Sequence, residues 1–316
     1  MDVSSKFDLK QLRYFVAVVD AGSISRASQM HHIAQPALSR RIAQLEQDLG
    51  VPLLHRGHAG AQPTEQGAIL YRAAQRILRD MTAVMETVQA ADSDPVGNVA
   101  AGCLQSLASL IGAQLAVRLI ADRPKIRLSL ATGQSLDIYR ALASGLLDVA
   151  LFVWNEEAPN LTMELCVQEE FFLVCAPDMA GLPRDEVLEP QQLAGIPFVF
   201  PTTRTYASGP LIIEQLHGTG IDLKVVAEVD GDAMKPLLRS ALVCTISTWS
   251  HIQQDVEAGY VVLKRLRNTP MVRTLALCTA TDRPLSLAAR LVAQQMRDIM
   301  YGSIQSGEWR YAHVKV

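Results

Sequence analysis

The sequence predicts an α/β chain in three parts: three short helices closed by a β-wing, one long helix, and a larger body of alternating strands and helices. Three observations carry this reading. Apolar residues recur at helical spacing in three short segments before residue 50, an unbroken 4,3 apolar seam starts at Leu70, and strand-like and helix-like runs alternate beyond residue 97. A length of 316 residues suits two or three domains, and 49% hydrophobic with 19% charged residues describes an ordinary globular chain.

The first helix is marked by Leu9, Leu12, Phe15, Val16 and Val19, which share one face. Gly22 ends it and Ser23 caps a short second helix, Ile24 to Met30, where the small Ala27 allows another helix to approach. A third helix runs from Gln35 to Leu49, with Pro36 in its first turn where the missing N–H does no harm. At about 100° per residue, Leu38, Ile42, Leu45 and Leu49 form one stripe. Pro36, Ser39, Arg40, Ala43 and Gln47 fall opposite. That outward face is small-residued and carries one cation, which suits a helix pressed into a DNA major groove. Gly50 stops the helix. Val51 to His55, a turn at residues 58–60 and a return through Ala61 and Gln62 then read as a β-wing, with Arg56 at its base for phosphate. Spacing alone also fits a three-helix cluster that binds nothing.

The residues carry a resemblance that narrows this choice. Leu12-Arg13-Tyr14-Phe15-Val16-Ala17-Val18, Gly22-Ser23-Ile24-Ser25-Arg26-Ala27-Ser28, Ala34-Gln35-Pro36-Ala37-Leu38-Ser39-Arg40-Arg41-Ile42, Leu45 to Leu54 and Pro63-Thr64-Glu65-Gln66-Gly67 resemble, without gaps, the DNA-binding domain of LysR-type transcriptional regulators. The Thr64–Tyr71 and His32–Pro36 runs are most similar to the nitrogen-assimilation-control branch. The resemblance implies groove contacts from Gln35, Pro36, Ser39 and Arg40, and backbone contacts from Ser23 and Arg56. Two departures bear on base preference: Ala34 replaces a frequent Ser or Thr cap, and His55 stands where the family often has an acidic or other polar residue.

Thr64 to Gly67 opens the long helix. From Leu70, apolar residues continue at Ala74, Ile77, Met81, Val84, Val88 and Ala91, a heptad seam. The same stripe could lie on the chain's own surface. A helix of roughly 40 Å attached to so small a head, however, favours pairing between subunits. A twofold dimer would present two recognition helices about 34 Å apart to double-stranded DNA with dyad symmetry. The resemblance implies the same, as a homodimer or homotetramer.

Asp92 to Gly97 is a polar Pro/Gly hinge. Beyond it, strands are expected at Val99–Cys103, Ile126–Ala131, Val149–Val153, Phe171–Cys175, Phe198–Phe200, Val225–Val229, Cys244–Ile246 and Arg273–Cys278. Helices are expected at Leu107–Ala121, Leu136–Ser144, Leu211–Leu216, Met234–Arg239 and Leu287–Met300. Such alternation predicts open parallel sheets with helices on both faces. It resembles the two-lobed, periplasmic-binding-protein-like effector domain of the same family. The expected division is residues 1–64 for the head, 65–92 for the linker helix and 93–316 for the effector domain. Within the last, lobe one spans 97–166 and 269–301, and lobe two spans 167–268.

A small-molecule effector is expected beyond the strand carboxyl ends. Gln105, Ser106, Gln134, Ser135, Phe152, Thr202, Thr203 and Arg204 lie there. The hydroxyls serve equally as helix caps, and Arg204 equally as a solvated loop residue. A cation beside threonines would favour an anion. Relatives read Gly-Leu-Gly and Leu-Pro around one strand where this chain has Ala241-Leu242-Val243 and Ser247-Thr248.

Other classes fit poorly. No H-E-x-x-H, G-x-S-x-G, P-loop or G-x-G-x-x-G spacing suggests an enzyme, a metal or a cofactor. The five cysteines form no C-x-x-C pair and read as buried hydrophobes, with a redox-sensing pair as the alternative. No export signal opens the chain, and the charge-free stretch from Pro95 to Val117 is too polar for a lipid-facing helix, so a cytoplasmic location without membrane contact is expected. Residues 1–62 carry a net +2 and the remainder −5, a mildly basic head on an acidic body. An effector-independent architectural DNA-binding dimer is the alternative to a ligand sensor, and the resemblance implies RNA polymerase as a further partner. The tail beyond Gly302 has Trp309 and Tyr311 but no readable motif.

Overall fold

The computed structural model describes residues 8–57, 60–89, 94–154, 160–201, 212, 216, 223–229 and 233–315. It divides into two compact units, Met1–Asp92 with Pro284–Ser286, and Ser93–Arg283 with Leu287–Val316.

The first unit opens with α1 (Leu9–Ala21), α2 (Ile24–Met30) and α3 (Gln35–Leu49). Asp8 and Gln11 form a reciprocal capping box at the start of α1, and Gly22 ends it in the left-handed region at φ 61°. Ser23 caps α2 by accepting from the Arg26 N–H at 3.4 Å. On α3 the predicted stripe is the core: Leu38, Ile42 and Leu45 are fully buried, joined by Phe15, Val18 and Ala27 and closed by Leu53, Leu54 and Ala61. On α1 the inward face is shifted from the expected one: Leu12, Phe15 and Val18 turn inward, while Leu9 is exposed and Val16 and Val19 are half-buried.

The wing is an antiparallel hairpin, β1 (Leu54–Gly57) and β2 (Gly60–Pro63), with Leu54 opposite Pro63 and Gly57 opposite Gly60. It starts three residues later than the expected strand at Val51. The Val51 N–H is used to finish α3 by bonding the Glu46 carbonyl, and Pro52 has no N–H to give. The Glu46 carboxylate then takes the Leu53 and Leu54 amides at 2.8 and 3.1 Å, so one residue of the recognition helix aims the wing. Residues 58 and 59 of the expected turn lie outside the described residues.

The long helix α4 (Glu65–Gln89) is capped by Thr64, whose hydroxyl accepts from the Gly67 amide at 2.9 Å and donates to the Pro52 carbonyl at 2.8 Å. Its first two turns are fastened to the head: Leu70 and Tyr71 pack on the core, and the Tyr71 hydroxyl bonds Asp20 of α1. Further along, the expected seam residues Ile77, Met81 and Val84 are exposed within the single chain. Ala91 lies outside the described residues.

The second unit begins with β3 (Gly97–Leu104), a 3-10 turn (Gln105–Leu107), a π turn (Ala108–Gly112), α5 (Ala113–Asp122), β4 (Ile126–Gly133), α6 (Ser135–Ala143) and β5 (Val149–Val153). The expected single helix from Leu107 thus begins as two irregular turns. Next come β6 (Leu161–Cys175), β7 (Val187–Leu188), β8 (Pro197–Phe200), β9 (Lys224–Glu228), α7 (Met234–Arg239), β10 (Thr245–Thr248), α8 (Trp249–Glu257), β11 (Val262–Leu266), β12 (Val272–Ala280), α9 (Leu287–Gln305) and β13 (Ala312–Val314). The sheet order is β4-β3-β5-β12-β6-β11-β7, with β10 and β13 also on β6, while β8 and β9 pair separately.

The sheets are mixed, which corrects the all-parallel expectation. β3 is parallel to β4 and β5, whereas β12 runs antiparallel to both β5 and β6. The reason is connectivity: β6 and β12 are the two strands by which the chain leaves the first lobe and returns to it. β6 is the spine. Leu161–Glu170 pairs with β12 in one lobe, and Phe171–Cys175 pairs with β10 and β11 in the other. α9 covers the first lobe's sheet on β3, β5 and β12.

In the head, Gly67 stands where no side chain fits: a Cβ there would sit 2.0 Å from the Leu53 carbonyl oxygen. Gly67→Ala is expected to destabilise the head by about 2–4 kcal/mol, as for overpacking against backbone. Denaturant unfolding of the intact chain, followed by a head-specific probe, checks this; an unchanged midpoint would disprove the tight contact.

Candidate functional site

The outward face of α3 is open. Gln35, Pro36, Arg40, Ala43 and Gln47 are exposed, and Ser39 is half-buried at the edge of the stripe. Ala34 makes no side-chain cap, and Pro36 occupies the first turn. Ser23 is committed to capping α2, so its backbone position and not a free hydroxyl is presented. Arg56 lies on β1, opposite Ala61. The wing is fixed against the first helix turn: the Ala61 amide bonds the Gly22 carbonyl at 2.9 Å, and a Cβ on Gly60 would meet that oxygen at 2.3 Å. Helix α3 and wing are thus one rigid surface, held by Glu46 on one side and Gly22 on the other.

A small cleft of about 30 Å³, open to solvent, lies in the second unit. Its apolar wall is Phe171, Pro201, Ile212, Met234 and Ile246, and its polar wall is Ser106, Ser247, Thr248, His251 and Arg273. Ser106 follows β3 and Thr248 ends β10, so strand carboxyl ends from both lobes meet there. Ser247 Oγ and His251 Nδ1 lie 3.0 Å apart.

The polar wall is built around a buried ion pair. Arg273 on β12 meets Glu169 on β6, with Nη2 and Nε at 2.6 and 2.8 Å from Oε2. The Glu169 side chain is 0% and the Arg273 side chain 6% exposed, so both charges have left water. That is tolerable only with full hydrogen bonding. Glu169 Oε1 accepts from the Trp309 indole at 3.0 Å and from the Ser250 amide at 3.3 Å. Arg273 Nη2 also donates to Ser106 Oγ, Thr248 Oγ1 and Ser250 Oγ at 3.1, 3.2 and 3.4 Å. The guanidinium stands 5.8 Å from the Phe171 ring centroid.

Among the described residues expected to bind a ligand, only Ser106 reaches this cleft. Gln105 is exposed in the 3-10 turn. Gln134 precedes α6, half-buried, without capping it. Ser135 is turned to structure: its hydroxyl accepts from the Val153 amide at 3.0 Å and donates to the Val153 carbonyl at 3.3 Å, tying α6 to β5. Phe152 is buried against the Tyr139 ring. Thr202, Thr203 and Arg204 lie outside the described residues. Sequence reasoning missed Glu169, Arg273, Thr248 and His251. A signal existed for Arg273, because a lone charge on the otherwise apolar β12 demands a buried partner of opposite sign.

Cys103, Cys175, Cys244 and Cys278 are buried, and desolvation pushes the thiols of Cys103 and Cys278 up to about 12. Among the described residues no group of His, Cys, Asp and Glu could hold a metal ion, and no helix is long and apolar enough to cross a membrane. Ser135→Ala is expected to cost about 1 kcal/mol of stability, one part-buried hydrogen bond, while leaving the cleft intact. Thermal unfolding checks this, and an unaltered midpoint would contradict the tie between α6 and β5.

Comparison with known proteins places both units. Residues 9–68 match the family described as bacterial regulatory helix-turn-helix protein, lysR family, and residues 92–300 match the LysR substrate binding domain. The nitrogen assimilation regulatory protein nac of Escherichia coli is 29% identical over 306 residues, covering 96% of this chain and 99% of that protein. Its counterpart in Klebsiella aerogenes is 26% identical over 289 residues, covering 91% and 93%. Among solved structures, a full-length OxyR variant of Pseudomonas aeruginosa aligns with a TM-score of 0.66 at 18% identity, covering 92% and 95%. Full-length CbnR in complex with its target DNA aligns at 0.62 and 20%, covering 93% and 100%. These relatives are named as transcriptional regulators and not as enzymes. With its helix-turn-helix head and its two-lobed body each matched, the chain belongs to the LysR family of transcriptional regulators.

Proposed function

We propose that the chain is a cytoplasmic, sequence-specific regulator whose grip on a dyad-symmetric DNA site is set by a small carboxylate or similar anion in the cleft. The observation that carries the ligand reading is Arg273, which lines the cleft together with the Ser106 and Thr248 hydroxyls and faces an apolar wall. Such a pocket suits a compact molecule with an anionic head and an apolar body. The head reads DNA through Gln35, Pro36, Ser39 and Arg40 in the major groove, with Arg56 and the turn at Ser23 on phosphates. Subunits pair through the exposed Ile77, Met81 and Val84 of α4, which supplies the twofold symmetry. Ligand binding alters the closure of the lobes and so the spacing of paired heads, and contact with RNA polymerase follows from that spacing.

The ligand reading is tested by thermal shift with formate, acetate, succinate and benzoate. Saturating ligand, at about 100 times Kd, should add about 2.7 kcal/mol to the stability of the wild-type chain. Arg273→Gln should abolish the effect. Ser106→Ala, which leaves the ion pair in place, should weaken binding about 5- to 10-fold. Absence of any carboxylate-induced shift in the wild-type chain would favour an effector-independent, architectural regulator.

For the DNA face, Ser39→Ala or Arg40→Ala should weaken binding to a selected operator by about 1–3 kcal/mol. Titrations of labelled duplex check this, together with the salt dependence expected of phosphate contacts. Folded variants with wild-type affinity would remove these residues from the interface.

A further inference from the structure

The C-terminal segment was the one stretch with no motif, yet it is packed against the residues that hold Arg273. β13 pairs with β6 at Val167, Gln168 and Glu169, so its register ends on the residue that binds Arg273. The Glu170 amide donates to the Tyr311 carbonyl at 3.0 Å. Trp309, 1% exposed, gives its indole N–H to Glu169 Oε1. The segment also touches both lobes. Gln114 of α5 donates to the Glu308 carboxylate at 3.0 Å in the first lobe. In the second, the Trp249 indole donates to the Glu308 carbonyl at 3.2 Å, and the Tyr311 ring meets the Phe172 ring with centroids 4.6 Å apart.

Glu169 has two oxygens with divided duties. Oε2 holds the guanidinium of Arg273, and Oε1 is held by the tail and by the start of α8. Rotation of the carboxylate would move the guanidinium off the Ser106 and Thr248 hydroxyls. The indole N–H opposes that rotation from the side remote from the cleft. Resting on the carboxylate reading proposed above, we propose that Trp309 is a positioning residue for ligand recognition. Acting through Glu169, it fixes the direction in which Arg273 offers its guanidinium to an anion, and the C-terminal segment is thereby part of the sensor.

The test uses the full chain and Trp309→Phe, which keeps an aromatic ring but removes the donor. Affinities for formate, acetate, succinate and benzoate, and for the uncharged benzamide as control, are measured by calorimetry. The expected result is a loss of about 5- to 10-fold for the carboxylates, the scale of one hydrogen bond, with benzamide affinity unchanged. A loosened fold would weaken both kinds of ligand alike, and that outcome overturns the positioning role. Equal carboxylate affinity in wild type and W309F overturns it while leaving the carboxylate reading intact. A wild-type chain that binds none of the four carboxylates removes the reading and the inference together. Should W309F fail to fold, the chain labelled with 5-fluorotryptophan decides the matter, since it has three tryptophans and hence three fluorine signals. A benzoate-induced shift of the Trp309 signal supports the coupling, and a signal that stays fixed at saturation overturns it.

Discussion

A carboxylate and a guanidinium removed from water, Glu169 and Arg273, constrain how the body of this protein can be assembled. Each charge alone would cost several kcal/mol to bury, so neither strand is acceptable without the other. The two sit on β6 and β12, the strands by which the chain passes between lobes. Their remaining hydrogen bonds come from the turn after β3, from the start of α8 and from the tail. The pair is therefore satisfied only when both lobes and the C-terminus are in register. Such a buried pair is weak evidence for net stability, because an apolar pair of similar volume is often as stable or more so, whereas removing one partner is strongly destabilising.

The head is governed by a simpler rule. Its core is apolar throughout, and polar groups serve the edges: Asp8, Ser23 and Thr64 at helix starts, and Glu46 at the root of the wing. Rigidity between α3 and wing serves the DNA reading proposed above, in which two elements that track different parts of the duplex must keep their distance. Close backbone approaches at Gly60 and Gly67 secure it at points where side chains would intervene.

Most of the head was legible because one-faced helices announce themselves by spacing. Leu38, Ile42 and Leu45 could be placed inward and Arg40 outward without coordinates. The body was legible in outline and misread in detail. The first ten residues of β6 escaped because Glu164, Gln168, Glu169 and Glu170 look like a solvated loop. Leu165, Val167 and Glu169 are in truth its inward positions, and the charge at the third concealed the alternation. The cleft escaped for a related reason. It is assembled by residues over 160 positions apart, such as Ser106 and Arg273, and no local pattern records that meeting. Ser247 and Thr248, noticed only as departures from the family, put two hydroxyls into that wall.

Ala34, the uncapped residue before α3, has a consequence for how this regulator can diversify. Pro36 has no N–H to leave unsatisfied, and the amides of Ala37 and Leu38 already close on the Ala34 carbonyl at 2.9 and 3.1 Å. Very little of the helix's integrity therefore rests on the side chain at position 34. A site exempt from folding duty at the start of the helix proposed to read DNA is free to vary, so new operator preferences could be explored there without weakening the scaffold that presents them.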